Sequence, residues 1–215
     1  MSRRAPVLLL AALLWAGPAA AQLPGFLGSV DLSLARQHFQ SSFSGGSESL
    51  SGNLMSGRLG VAFRPVSVDV SYAQGRLASG DGISAARSVV EATALVSRRV
   101  TPWLLLKAGP HLRAYSAPGS TERWVMWELH AHADEPVITG VLAAYLEGWI
   151  APVASANVDP GGSGARGVEV GITMRFPDSP LWARLGYAVD QSSLKSSART
   201  ESLQSVVVSI GLGGR

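Results

Sequence analysis

Beyond Gln22 the chain alternates apolar and polar residues with a period of two, and the phase holds over long stretches. Val66, Val68, Val70 and Tyr72 form one such row, Val168, Val170, Ile172, Met174 and Phe176 another, and Val206, Val208, Ile210 and Leu212 a third. Alternation of this kind puts apolar side chains on one face of a β-strand and polar ones on the other. It predicts ten strands, near Phe26 to Gln40, Asn53 to Arg64, Pro65 to Arg76, Arg87 to Arg99, Trp103 to Tyr115, Glu122 to Ala133, Val137 to Ile150, Ala165 to Phe176, Leu181 to Val189 and Ser202 to Gly213. Eight or twelve result if Ser116 to Ala133 or the Gly-rich stretches are misread, since boundaries drift by about 2–4 residues.

The expected connections are of two kinds. Arg64-Pro65, Thr101-Pro102, Asp134-Glu135-Pro136 and Pro177-Asp178-Ser179-Pro180 are short and carry a proline that cannot continue a ladder. Ser41 to Gly52, Leu77 to Ala86, Ser116 to Thr121, Ala151 to Gly164 and Asp190 to Glu201 are mostly longer and rich in Gly and Ser, which predicts loops. Tight turns on one rim and loops on the other predict an all-β, antiparallel up-and-down barrel whose odd strands run outward and even strands return.

The polar face holds nearly all the strand charges. Asp31, Asp69, Glu91, Glu128, Glu147, Glu169 and Asp190 stand against Arg58, Arg64, Arg99, Lys107, Arg113, Arg175 and Arg184. Balanced signs suit mutual neutralisation in a confined lumen. A soluble barrel or sandwich alternates too, with the apolar face inward. The membrane version is favoured because the apolar rows are nearly free of charge, and Arg36 and Arg98 fall near strand ends where long side chains can snorkel. Phe63, Trp103 and Phe176 near the short turns, and Tyr72 near a loop, suit aromatic girdles; Leu95, Leu105, Met126 and Val141 on the charged face run against the pattern.

The first residues change the compartment. Arg3 and Arg4 precede an apolar stretch from Ala5 to Ala16 and the run Ala19-Ala20-Ala21, which predicts a cleaved secretory signal over 1–21 and a barrel domain over 22–215. The apolar core is too short for a membrane helix and is broken by Gly17 and Pro18. Loss of Arg3 and Arg4 lowers the formal charge from +3 to +1 and argues against a nucleic-acid partner. With no Cys, disulfides, thiolate metal sites and Cys nucleophiles are excluded.

Export signal, alternating strands and turn pattern together resemble the small outer-membrane β-barrel proteins of Gram-negative bacteria over the whole mature chain. The resemblance is architectural and carries no family motif. It implies residence in the outer membrane, contact with its lipid and with the barrel-assembly machinery, and a monomer. Such proteins usually end in an aromatic residue, whereas this sequence closes on Gly213-Gly214-Arg215.

Candidate chemistry is sparse. Glu128, His130 and His132 share one strand face and suggest a divalent metal site, but a polar interior row partnered by Lys107, His111 and Arg113 is the favoured reading, because a metal needs three or four convergent ligands and a second shell. Ten-stranded outer-membrane proteases use carboxylates and a His at the outer rim; here the expected outer loops hold Glu48, Asp81 and Asp159, with His38 the nearest base. Asp159-Pro160-Gly161-Gly162-Ser163-Gly164 lacks the Lys and helix of a phosphate loop. No catalytic residue and no cofactor are expected. The expected role is structural or surface-interacting, around a charge-paired lumen of Asp31, Arg58, Asp69, Glu91, Lys107, Arg113, Glu128, Glu147, Glu169, Arg175 and Arg184. A narrow small-solute channel and a rim-site hydrolase are the alternatives.

Overall fold

A computed structural model describes residues 26–63, 65–80, 84–195 and 198–213. The signal segment, Arg64, Asp81, Gly214 and Arg215 lie outside the described residues. The ten strands are β1 (Phe26–Phe43), β2 (Gly46–Phe63), β3 (Val66–Ala78), β4 (Arg87–Arg99), β5 (Leu104–Ala117), β6 (Ser120–Ile138), β7 (Leu142–Ala156), β8 (Asp159–Arg175), β9 (Leu181–Leu194) and β10 (Arg199–Gly213). Each pairs antiparallel with its sequence neighbours, and β1 pairs with β10 to close the barrel. Closure leaves no edge strand to satisfy. β1 begins and β10 ends at one end of the barrel, here termed proximal; the opposite end is distal.

The expected strand number stands, but the distal loops do not. Most of Ser41 to Gly52, Ser116 to Thr121, Ala151 to Gly164 and Asp190 to Glu201 is paired strand. The turns shrink to Ser44-Gly45, Pro118-Gly119 and Asn157-Val158, and among the distal connections 79–86 is the long one. Gly and Ser weaken strand propensity, but a ladder already in register gains a backbone hydrogen-bond partner for each added pair, and inward apolar residues in these stretches bury against one another. At the proximal end, β6 runs through the expected turn at Asp134-Glu135-Pro136 to Ile138. An irregularity between Pro136 and Ile138 absorbs the proline, and the chain reverses at Thr139-Gly140-Val141, where Gly140 takes φ 75°. Val141 is therefore a turn residue and not part of the charged face. The difference in loop length that was expected to orient the barrel is absent.

The two faces sort as alternation requires. Leu34, Leu59, Val70, Leu112, Leu129, Leu146, Val170 and Val208 are all exposed on the outer wall, where an apolar band encircles the barrel. Phe63, Trp103 and Phe176 lie at its proximal edge. Tyr72 and Tyr187 donate to Gln74 Oε1 (3.4 Å) and Gln204 Oε1 (3.2 Å) towards its distal edge. Beyond that edge the outward positions become Arg36, Asn53, Arg76, Arg123, Arg166 and Gln191, all exposed. An exposed apolar band between polar edges is the inverse of a soluble barrel and matches a lipid-facing wall. Val170→Arg, within the band, is expected to lower stability in lipid vesicles by about 2–4 kcal/mol, while Thr200→Arg beyond the distal edge is expected to be near neutral, as read by urea unfolding.

Candidate functional site

Inward positions divide into three layers along the barrel axis. The distal layer is apolar: Phe39, Leu50, Leu54, Leu77, Val89, Tyr115, Trp124, Met126, Leu194 and Leu203 are buried together across the lumen. The rings of Phe39 and Tyr115 lie 5.4 Å apart, and Trp124 donates its Nε1–H to Glu122 Oε1 at 2.8 Å. Ion pairs flank this plug. Arg87 meets Glu48 and lies over the Phe39 ring, and Arg199 bridges Glu122 (2.9 Å) and Glu201.

The middle layer is a polar chamber of about 250 Å³. It is crossed by an unbroken chain of contacts through three His side chains. His111 Nδ1 lies 2.7 Å from Glu128, Glu128 lies 3.0 Å from His130 Nε2, and His130 Nδ1 lies 2.7 Å from Glu147. Glu147 also meets His132 Nδ1 at 2.8 Å and accepts from Lys107 Nζ at 2.7 Å, and His132 Nε2 reaches Asp134 at 2.9 Å. The local cause is register: Lys107 stands opposite His130 and His132 opposite Glu147, which gathers the inward bases of β5 and β6 around Glu128 and Glu147. His130 stacks on Trp149 and His132 on Tyr145. Two residues beyond His111 on β5, Arg113 holds Glu91 of β4 (2.7 Å) and reaches Asp190 of β9 (3.2 Å), to which Trp149 also donates.

The expected lumen residues thus take distinct places. Asp31 and Arg58 face each other at 4.0 Å, Glu169 accepts from the Tyr145 hydroxyl, and Asp69 lines the chamber. Tyr145 has room because Gly171 and Gly186 stand opposite one another beneath it; a Cβ at either would collide with its ring or hydroxyl. Arg184 has no carboxylate partner among the described residues and lies 4.2 Å over the Tyr145 ring. Arg175 reaches the proximal mouth, exposed. That mouth opens into the third layer, a vestibule of about 970 Å³.

The metal reading of Glu128, His130 and His132 does not fit this geometry. Both ring nitrogens of each His are turned to carboxylate oxygens, so neither is left to ligate a metal, and the described residues contain no metal-ligand group. The rim-site reading loses its base: His38 faces outward, 2.9 Å from Ser51 Oγ, whereas Glu48 faces the lumen. Among the described residues the distal lumen offers Glu122 and Glu201 without a His.

The plug was missed in sequence. Its signal lies within single strands, as in Glu122-x-Trp124-x-Met126-x-Glu128, where inward residues change from apolar to charged with depth. Phase shows which face a residue takes; depth needs the register of neighbouring strands.

No protein-family model matches the chain, and no curated protein matches it. Solved structures do. The chain is similar to the outer membrane protease OmpT from Escherichia coli at 10% identity and TM-score 0.54, over 89% of this chain and 98% of that one. It is similar to Neisserial surface protein A at 15% identity and TM-score 0.43, over 87% and 96%. For Ail, the attachment invasion locus protein of Yersinia pestis, the values are 10%, 0.39, 86% and 99%. At these identities the likeness concerns the fold alone: this chain has the fold of a closed, ten-stranded antiparallel transmembrane β-barrel.

Proposed function

We propose that the protein is exported through a cleaved signal to the outer membrane, places its proximal end in the periplasm, and serves there as a non-catalytic barrel with a structural or surface-interacting role. The band of exposed Leu, Val and Ile supports membrane lipid as its surroundings, and the pairing of β1 with β10, which closes the barrel within one chain, supports a monomer. An even strand number with both chain ends on one side suits the periplasmic placement.

The observation that carries the reading is the apolar plug. Phe39, Leu50, Leu77 and Met126 are each 1% exposed or less, so the distal lumen has no room for a file of water or ions. Barrels of this size fill their interiors with side chains, and wide aqueous pores need roughly 16–18 strands. The expected result in a planar bilayer is the absence of stable unitary conductance from folded protein. Steady single-channel steps in protein that still resists SDS until heated would overturn the sealed lumen in favour of a narrow channel.

A further inference from the structure

The vestibule holds more positive charge than it neutralises. Arg58, Arg99, Lys107, Arg175 and Arg184 line it, against Asp69 and Asp134. Three of the cations lean on carboxylates: Arg58 is 4.0 Å from Asp31, Arg99 is 3.8 Å from Asp134 and Lys107 is 2.7 Å from Glu147. The other two do not. Among the described residues neither Arg175 nor Arg184 has a carboxylate within ion-pair distance, and Arg184 donates only to Thr173 Oγ1 at 3.3 Å.

Their placement makes them a pair. Arg175 stands opposite Trp182 and Arg184 opposite Thr173 in the β8–β9 ladder, so both project into the lumen as diagonal neighbours, roughly 7–8 Å apart at their stems. Two guanidinium forks at that spacing can close on one tetrahedral oxyanion with charge-assisted hydrogen bonds. The cavity they share has an apolar side formed by Leu105, Ala143 and Leu181, while the buried Trp182 ring lies under the Arg184 guanidinium at 5.9 Å and helps to hold it. The volume falls within the range of small-molecule pockets, and the plug makes it a blind pocket loaded from the proximal end.

We propose that the proximal vestibule is a binding site for a small amphipathic oxyanion, a phosphate or sulfate monoester with a compact aromatic or apolar body, gripped by Arg175 and Arg184. The guanidiniums take the oxyanion, and the side lined by Leu105, Ala143 and Leu181 takes the body. The site is independent of whether the lumen conducts.

The test is calorimetric titration of the refolded full chain in zwitterionic micelles with 1-naphthyl phosphate, inorganic phosphate and 1-naphthol. Saturable binding of 1-naphthyl phosphate is expected, weaker at high salt, with inorganic phosphate weaker and 1-naphthol at least about tenfold weaker. Arg175→Gln and Arg184→Gln are each expected to weaken it about tenfold, the loss of one charge-assisted hydrogen bond. Arg98→Gln, on the outer wall, is expected to bind as the parent does. Resistance of each variant to SDS before heating separates lost binding from lost fold. No saturable binding, equal affinity for 1-naphthol, parental affinity in both lumen variants, or an equal loss in Arg98→Gln would each overturn the site; inorganic phosphate binding as tightly as the ester would overturn the role of the apolar wall.

Discussion

Glu147→Leu is expected to lower the stability of the folded barrel by about 3–5 kcal/mol. Glu147 is 9% exposed and meets Lys107, His130 and His132 at 2.7, 2.7 and 2.8 Å. Removing one member of a buried charged network leaves the others desolvated without compensation, and that penalty exceeds the net worth of the intact pairs. Glu147→Gln, which retains one acceptor oxygen, should fall between. Glu135→Leu, on an exposed outward position, should stay within about 0.5 kcal/mol. Urea unfolding in lipid vesicles, followed by tryptophan emission, reads all three; coincident midpoints for Glu147→Leu and the parent would show that the chamber network does not stabilise the barrel.

Trp124→Ala carries the second large effect, and it tests seal and stability together. The side chain is 2% exposed in the distal plug, and truncating a buried Trp typically loses about 3–5 kcal/mol through lost burial and residual cavity. Its removal also orphans Glu122 from the indole N–H. Paired with Leu203→Ala, which thins the same layer from β10, it is expected to open a path from the distal face to the chamber and vestibule. Planar-bilayer recording should then show unitary steps absent from the parent. A folded double variant that stays silent would move the seal from the plug to the charged layer beneath it.

These two variants act on layers that differ in how legible they are in the sequence. Alternation alone places Glu147 and its partners in the lumen, because a strand residue two places from an inward residue also faces inward. Trp124 obeys the same alternation, yet nothing in its phase distinguishes a plug residue from a wall residue of the chamber. Its depth follows from the register Trp124↔Arg113 and Trp124↔Ala156, which belongs to three strands at once. The Gly- and Ser-rich stretches read as loops for a related reason. Their local preference is for turns, but the strands beside them were already held in register, and the backbone pairing of neighbours outweighed it.

The same division explains the candidate chemistry. Glu128, His130 and His132 on one face read as potential ligands; only the neighbouring strands show that Glu147 and Asp134 occupy their ring nitrogens. His38 and Glu48 looked like partners across a loop, but β1 and β2 continue through that loop, and their phases put one on each side of the wall. Arg175 and Arg184 belong to a balanced set of charges in the sequence; only the fold shows that, among the described residues, neither has a carboxylate within ion-pair distance.

The sequence by itself determined that the chain is a series of ten amphipathic strands and which face each side chain takes, because a period of two is a property of a single strand. Tertiary structure decided the rest: closure, the depth of each inward residue, and hence the stack of plug, chamber and vestibule. Strand tilt and inter-strand register set depth, and both arise only when β1 meets β10 and every ladder is fixed at once.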